Sequence, residues 1–168
     1  MEQKIRTIIF GGSFDPVHNG HVRIVRNAIA ELALDKLFVI PAAVSPFKVS
    51  SSPHLSDALR AECLRVAFEG LDKVVIDTRE LKKGGVSYAI DTVREFANEY
   101  PNAELYFIIG EDSLEGLPRW KNYEELIKLC SFKSYPRTIE SSTEVRRRMS
   151  LKLSIDDMLP RAVVEILK

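Results

Sequence analysis

The chain has 168 residues, which is enough for one domain to bury a hydrophobic core without disulfide bonds or a structural metal ion. Basic and acidic residues are both 24 in number, so the formal net charge is zero and no overall field favours nucleic acid or a membrane surface as a partner. Any anionic ligand must therefore be bound by a local cluster of groups. We predict a single domain over residues 1–168.

The cysteines and the one isolated histidine have ordinary explanations. Cys63 and Cys130, the only cysteines, lie in apolar helical patterns, and the sequence shows neither a signal-like start nor a long apolar run. Both are therefore expected to be reduced core thiols of a cytoplasmic protein. His54 lies between Pro53 and Leu55 in a polar loop, where we expect a solvated side chain.

Short apolar runs typical of buried strands alternate with helical patterns along the chain. In order, the runs are "IRTIIF", "KLFVIP", "KVVID" and "ELYFIIG", followed by a weaker fifth, "SFKSY". After the first run, Val22, Val25, Ile29 and Leu32 recur at the spacing of one helix face. Strands that alternate with helices predict a parallel sheet.

Helix starts are marked by Ser56, expected to cap "DALRAECLRVAF", and by Ser87, expected to cap "YAIDTVREFANEY". "NYEELIKLC" predicts a further helix, and "SIDDMLPRAVVEILK" predicts a capped turn, a proline break and a terminal helix. Right-handed crossovers then give an α/β fold: a single doubly wound, Rossmann-like parallel sheet flanked by helices, with a small C-terminal helical extension. Ligands of such sheets bind at the carboxyl ends of the strands.

The stretch "GGSFDPVHNGH" follows the first strand and leads into the first helix, so we expect it in that ligand crevice. Gly11 and Gly12 allow the backbone to approach a ligand closely, and the helix start near Asn19 to His21 is expected to offer free N–H groups to an anion. His18 and His21 can donate hydrogen bonds to phosphate oxygens and, if protonated, offset their charge. The spacing differs from the Walker A and GxGxxG motifs, and we predict no metal site formed by side chains.

This stretch resembles the signature of the HxGH nucleotidyltransferase superfamily, and most closely that of the bacterial nicotinate-nucleotide adenylyltransferase family. The likeness continues in the family's order through "IPAAVSPFK", "DTRELKKGGVSY", "FIIGEDSLEGLPRW", "ESSTEVRRRM" and "SIDDMLPRAVVEIL". It implies transfer of the adenylyl group of ATP to nicotinate mononucleotide, giving deamido-NAD and pyrophosphate, with Mg²⁺ accompanying ATP. It also implies that His18 and His21 are catalytic groups at the α-phosphate.

The resemblance assigns ATP binding to several segments of the chain. These residues are Gly11, Gly12, Ser13 and Phe14 in the first motif, Lys48 in the second loop, Gly110 and Asp112 after the fourth strand, and Ser141, Ser142, Thr143 and Arg146 in "ESSTEVRRR". In the last motif a serine would cap a helix whose first N–H groups face the β- and γ-phosphates. From the residues alone, the same stretch is also an ordinary capping box of Ser141 with Glu144.

The resemblance assigns the pyridine nucleotide to Ser87, Tyr88, Ala89 and Trp120. The Trp120 ring would stack on the pyridine, and backbone N–H groups around Tyr88–Ala89 and Trp120–Lys121 would face its carboxylate. The expected partners are thus ATP and a pyridine mononucleotide, without nucleic acid or a membrane. The sequence leaves open whether the chain forms a homo-oligomer.

Three features depart from the family pattern. Phe47 stands where the family has His, which removes a phosphate donor, and Ala89 stands where it has Thr. The segment before Ser141 is short, with Pro136 and Arg137 as its remnant. Two alternatives therefore stay open: a related adenylyltransferase that uses nicotinamide mononucleotide or phosphopantetheine, and a catalytically idle nucleotide-binding regulator.

Overall fold

The computed structural model describes residues 4–168 and contains one five-stranded sheet in that range. Its strands are β1 (Arg6–Gly12), β2 (Lys36–Pro41), β3 (Val74–Ile76), β4 (Glu104–Gly110) and β5 (Ser131–Tyr135). All neighbouring strands are parallel, in the order β3-β2-β1-β4-β5. The predicted doubly wound sheet is confirmed, and the weak "SFKSY" run forms one of its edges.

Helices cover both faces of the sheet. They are α1 (Asn19–Leu32), α2 (Asp57–Ala67), α3 (Arg79–Lys83), α4 (Ala89–Glu99), α5 (Tyr123–Leu129), α6 (Ser142–Ser150) and α7 (Arg161–Leu167), with short 3-10 turns at Glu111–Ser113 and Leu117–Arg119. The sequence patterns missed α3, because five residues are too few to show a helical period. Within residues 4–168, no helix has the length and apolar character that a membrane span requires.

One of the two predicted serine caps is correct. Ser56 caps α2, since its Oγ accepts a hydrogen bond from the N–H of Leu59 over 3.2 Å. The prediction that Ser87 caps α4 is wrong, because Tyr88 is the N-cap residue and Ser87 Oγ accepts from the backbone N–H of Ala43 over 3.1 Å. Ser87 therefore ties the start of α4 to the loop after β2.

The sheet separates two buried hydrophobic clusters, because successive residues of each strand point to opposite faces. Ile8 of β1 packs in the cluster that includes Val25 of α1, and Ile9 packs in the cluster that includes Phe96 of α4. Cys63 and Cys130 are free and buried, one in each cluster, as predicted.

The crevice for a ligand lies where the strand order reverses. The chain proceeds from β1 outward to β2 and β3, and then returns to place β4 on the other side of β1. The loops after β1 and β4 consequently leave in opposite directions, which opens a crevice at their carboxyl ends. The "GGSFDPVHNGH" motif follows β1 at this point.

Candidate active site

A cavity of about 540 Å³ opens at the carboxyl ends of β1 and β4. It is lined by predicted site residues from four segments: Gly11, Gly12, Ser87, Tyr88, Ala89, Gly110 and Trp120. A cavity of this size falls in the range of small-molecule sites, which is roughly 300 to 1,000 Å³. The structure thus brings the predicted pyridine-nucleotide residues to the glycines that end the two central strands.

The first motif begins inside the sheet. Gly11 and Gly12 are the last residues of β1, so the strand extends two residues past its predicted end. Phe14 has a positive φ of 45° and is buried, with its ring centroid 5.2 Å from that of Phe10 and 4.9 Å from that of His21. The Phe14 side chain therefore supports the loop from the core, and a ligand would meet its backbone.

The two motif histidines stack on each other at the start of α1, with ring centroids 3.6 Å apart. The backbone N–H of His18 donates a hydrogen bond to Nδ1 of His21 over 3.1 Å. In the neutral His21 ring the proton therefore lies on Nε2, from which it can be donated to a ligand. Nδ1 of His18 is buried and has no hydrogen-bond partner among residues 4–168.

Burial lowers the pKa of both histidines. The pKa of His18 falls to about 4, because desolvation outweighs the opposing effect of the Glu140 carboxylate. Burial, together with the neighbouring His18, holds the pKa of His21 well below 6.5. Both rings are thus neutral at pH 7 without a ligand and offer N–H donors rather than positive charge. A bound phosphate would raise both pKa values by bringing negative charge close.

Gly20 allows close packing beside His18. A Cβ atom at Gly20 would lie 2.9 Å from Cε1 of His18 and would overlap the hydroxyl of Thr138. Thr138 Oγ1 donates to the backbone carbonyl of Glu140 over 3.0 Å, and the buried Glu140 carboxylate pairs with Arg23. Sequence reasoning missed Thr138 and Glu140, because the segment after β5 has no regular pattern.

The second predicted phosphate motif docks onto the first. Ser142 Oγ donates to the carbonyl of Pro16 over 2.8 Å, and Arg146 Nη1 donates to the carbonyl of Asp15 over 2.8 Å. Asp15 and Pro16 belong to the loop between β1 and His18. The start of α6 is therefore fixed against the loop that leads to the histidine pair.

The capping-box interpretation of α6 is only half correct. Ser141 does cap the helix, because its Oγ accepts from the N–H of Glu144 over 3.1 Å. The Glu144 carboxylate instead pairs with Arg147 and Arg148 at 2.7 and 3.1 Å. Thr143 is exposed at the first turn. The basic residues that follow Arg146 thus belong to a surface ion-pair cluster.

A second, polar cavity of about 30 Å³ lies beside the first motif and brings Lys48 together with Ser13 and Arg146. The remaining predicted site residues line neither cavity: Phe14, His18, His21, Asp112, Ser141, Ser142 and Thr143. Asp112 is exposed, and a Cβ atom at Gly110 would lie 2.5 Å from its Oδ1. Its carboxylate therefore covers the end of β4 instead of facing the larger cavity.

Glu80 of α3 holds one wall of the larger cavity together. Its carboxylate lines the cavity and accepts a hydrogen bond from Oγ1 of Thr92 over 2.6 Å. Burial raises the pKa of this carboxyl. The Ser87 hydroxyl accepts a hydrogen bond from the backbone N–H of Ala43, so this side chain supports the same wall. Glu80 escaped sequence reasoning because it lies in the short helix that no period revealed.

Free backbone N–H donors occur at the start of α4 and in the segment before α5. Among residues 4–168, the N–H groups of Tyr88, Ala89 and Lys121 make no backbone hydrogen bond. All three residues line the larger cavity, so their N–H groups can meet a carboxylate there. The N–H of Trp120 donates to the carbonyl of Leu117 over 3.0 Å and is not free, contrary to the prediction.

Aromatic rings form another wall of this cavity. The ring centroid of Trp120 lies 6.0 Å from that of Phe107 and 5.7 Å from that of Phe47. Phe47 is 71% exposed at the mouth of the cavity, so it adds apolar surface where the family pattern has an imidazole. The wall can therefore receive a flat heterocycle by stacking.

Arg60 is a fully buried residue that sequence reasoning missed. Its Nη1 donates to the carbonyls of Ser13 and Ala42 over 2.6 and 2.8 Å, and its Nη2 pairs with Asp57 over 2.8 Å. Ser13 follows β1 and Ala42 follows β2, so one guanidinium joins the carboxyl ends of two neighbouring strands. Arg60 thereby fixes the backbone under the first motif.

Comparison with known proteins gives the family of this chain. Residues 9–159 match the family model described as cytidylyltransferase-like. A protein of Methylacidiphilum infernorum named "Probable nicotinate-nucleotide adenylyltransferase" is 37% identical over 183 residues, which cover 97% of this chain and 89% of that protein.

Two solved structures share the fold. A candidate nicotinate-nucleotide adenylyltransferase of Vibrio parahaemolyticus has a TM-score of 0.78 at 20% identity and covers 97% of this chain and 91% of its own. Plasmodium falciparum nicotinic acid mononucleotide adenylyltransferase, solved with NaAD, has a TM-score of 0.73 at 17% identity, with coverage of 97% and 94%. The fold, the family model and the named relatives together define a nucleotidyltransferase. The chain belongs to the cytidylyltransferase-like family and, within it, to the nicotinate-nucleotide adenylyltransferases.

Proposed function

We propose that this protein transfers the adenylyl group of ATP to nicotinate mononucleotide, a step of NAD biosynthesis. The observation that carries the proposal is the position of the His18–His21 pair and the docked start of α6 beside a cavity that presents the free N–H groups of Tyr88 and Ala89. The site thus offers donors for a polyphosphate at one end and for a carboxylate at the other. The names of the relatives support the same acceptor.

The reaction needs positioned donors and no protein nucleophile. An oxygen of the acceptor phosphate forms a bond to the α-phosphorus of ATP, while the bond from that phosphorus to its bridging oxygen breaks and pyrophosphate leaves. Charge develops on the oxygens of the α-phosphate and of the leaving group, where the N–H donors of His18 and His21 would stabilise it. The thiols take no part, because burial raises the pKa of Cys63 to about 11 and that of Cys130 to about 12.

Mg²⁺ enters this proposal as the counter-ion of ATP. Among residues 4–168, no group of three or more His, Cys, Asp or Glu side chains is arranged to hold a metal ion. Magnesium commonly keeps several waters and binds through substrate phosphates with only one or two carboxylates. The protein would therefore receive the ion together with its nucleotide. We place the reaction in the cytoplasm, a compartment that suits the two free thiols.

Product analysis tests the transferase class directly. With ATP and nicotinate mononucleotide together, we expect pyrophosphate and a dinucleotide in equal amounts, and neither product when one substrate is omitted. An idle regulator would bind ATP in an equilibrium titration and release no pyrophosphate with any acceptor. A His21→Ala preparation, checked for folding by circular dichroism, controls for contaminating enzymes.

A further inference from the structure

A third histidine lines the small polar cavity beside the phosphate motifs. His54, from the loop between β2 and α2, lies there with Lys48 and Arg146, and Asp15 is the only acidic residue of the lining. Two permanent cations against one carboxylate leave this cavity positive even when the His54 ring is neutral. Its natural occupant is an anion.

Asp15 holds this arrangement in place. Its buried carboxylate accepts hydrogen bonds from the backbone N–H groups of His54 and Leu55 over 2.8 and 2.9 Å. The same carboxylate lies 3.4 Å from Nδ1 of His54 and 3.7 Å from Nη1 of Arg146. Nδ1 of His54 therefore faces Asp15, and Nε2 on the opposite edge of the ring is left for a ligand.

We propose that His54 binds the phosphate tail of ATP together with Lys48 and Arg146. His54 would contact this phosphate through Nε2, the ring nitrogen opposite the edge that faces Asp15. The inference rests on the proposed function, because it takes ATP to be the ligand. Phe47 stands where the family pattern has a histidine, and His54 supplies an imidazole from the same loop.

The size of the cavity sets how the phosphate lies. With a volume of about 30 Å³ the cavity is too small for a whole triphosphate, so the phosphate would lie at its mouth and direct oxygen atoms inward. Lys48 and His54 are both exposed and reach that mouth, whereas the Arg146 side chain is only 19% exposed and contacts those oxygen atoms from within. The three basic groups therefore surround one phosphate from different sides.

The substitution His54→Ala isolates the side chain. The loop keeps its anchors, because the bonds to Asp15 come from the backbone N–H groups of His54 and Leu55. His54→Gln retains a neutral N–H donor. Val49→Ala is the matched control, because Val49 is an exposed residue of the same loop and lines neither cavity.

Calorimetric titration of ATP, AMP and inorganic pyrophosphate into the full chain tests the proposal. We expect His54→Ala to weaken ATP and pyrophosphate binding by about 3- to 30-fold, with His54→Gln between it and the wild type. AMP binding should stay unchanged, because AMP lacks the β- and γ-phosphates, and Val49→Ala should match the wild type with all three ligands.

Unchanged ATP affinity in His54→Ala, or an equal loss with AMP, would overturn the role of His54 while leaving the proposed function in place. A wild type that binds none of the three ligands would overturn the proposed function, and this inference with it.

Discussion

The backbone N–H of His18 donates its hydrogen bond to Nδ1 of His21, so the turn that starts α1 also determines which nitrogen of His21 carries the proton. This is the geometry of a capping box, in which a side chain at the third helical position reaches back to the cap, with an imidazole in place of the usual carboxylate. This one hydrogen bond therefore both stabilises the start of α1 and orients the Nε2–H donor of His21.

Loss of that donor should affect turnover more than binding. We expect His21→Ala to lower kcat by roughly a hundred- to a thousandfold, because a preorganised donor matters most where charge develops in the transition state. ATP affinity should change much less. Steady-state kinetics together with equilibrium ATP titration measure the two effects. Weakened ATP binding with unchanged kcat would show that His21 only supports the bound nucleotide.

The lowered pKa of His18 should make the folded protein sensitive to acid. An imidazole of the unfolded chain titrates near 6.5, whereas burial lowers the pKa of His18 to about 4 in the fold. Folding thus favours the neutral ring, and this stabilisation is present above pH 6.5 and is lost as the pH falls towards 4. Through this group, the free energy of unfolding should fall by on the order of 1 to 3 kcal/mol over that range.

Urea denaturation at several pH values measures this loss, and His18→Asn provides the comparison. The variant has no titrating ring at this position, so its stability should fall less between pH 6.5 and 4 than that of the wild type. The same pH dependence in both proteins would assign the acid sensitivity to other groups.

Removal of the buried guanidinium should destabilise the backbone under the first motif. Arg60→Met leaves the carbonyls of Ser13 and Ala42 without their donors, which should cost about 2 to 5 kcal/mol of unfolding free energy. Arg65→Met is the matched control, since Arg65 is an exposed residue of the same helix whose contact is a surface pair with Glu62. Arg65→Met should lower the free energy of unfolding by about 0.5 kcal/mol or less. Equal losses in thermal or urea unfolding would contradict the role given to Arg60.

The elements and motifs that could be predicted from the sequence are those that depend on neighbouring residues. Strand β1 and the position of "GGSFDPVHNGH" follow from periodicity and from the rule that parallel sheets bind ligands at their carboxyl ends, whereas the role of "ESSTEVRRR" follows from the family resemblance. Arg60 could not be found in this way, because its partner Ser13 lies 47 residues away and only the tertiary fold brings the two together. Ser87 precedes a helix, as a capping residue does, but its hydroxyl accepts a hydrogen bond from Ala43 in another loop and does not cap the helix.

A side chain at position 20 should lower catalytic activity, because it would displace neighbouring side chains that include His18. Gly20→Ala places a Cβ atom in overlap with Oγ1 of Thr138 and 2.9 Å from Cε1 of His18, so we expect both side chains to shift and kcat to fall by about tenfold or more. Gly116→Ala is the control, because its Cβ atom would meet nothing closer than 3.6 Å. Initial rates at saturating ATP and acceptor compare the two. Full activity of Gly20→Ala would mean that the position of His18 is not critical.

Acceptor choice should depend on the start of α4. The N–H groups of Tyr88 and Ala89 suit a carboxylate better than an amide, whose nitrogen would oppose them with its own donors. Ala89 lacks the hydroxyl that the family pattern supplies, and a hydrogen bond to a charged group contributes about 1.5 to 3 kcal/mol, or roughly ten- to a hundredfold. Ala89→Thr should therefore increase the preference for the acid form. An unchanged ratio of kcat/KM for nicotinate and nicotinamide mononucleotide in Ala89→Thr would show that this hydroxyl does not affect acceptor choice.

The most direct test of the proposed reaction compares acceptors in one assay. Pyrophosphate release from ATP is followed with nicotinate mononucleotide, nicotinamide mononucleotide or phosphopantetheine, and kcat/KM is determined for each. We predict the highest kcat/KM for nicotinate mononucleotide, a lower value for the nicotinamide form and no measurable release with phosphopantetheine. A higher kcat/KM for nicotinamide mononucleotide or for phosphopantetheine, or no release with any acceptor, would contradict the account.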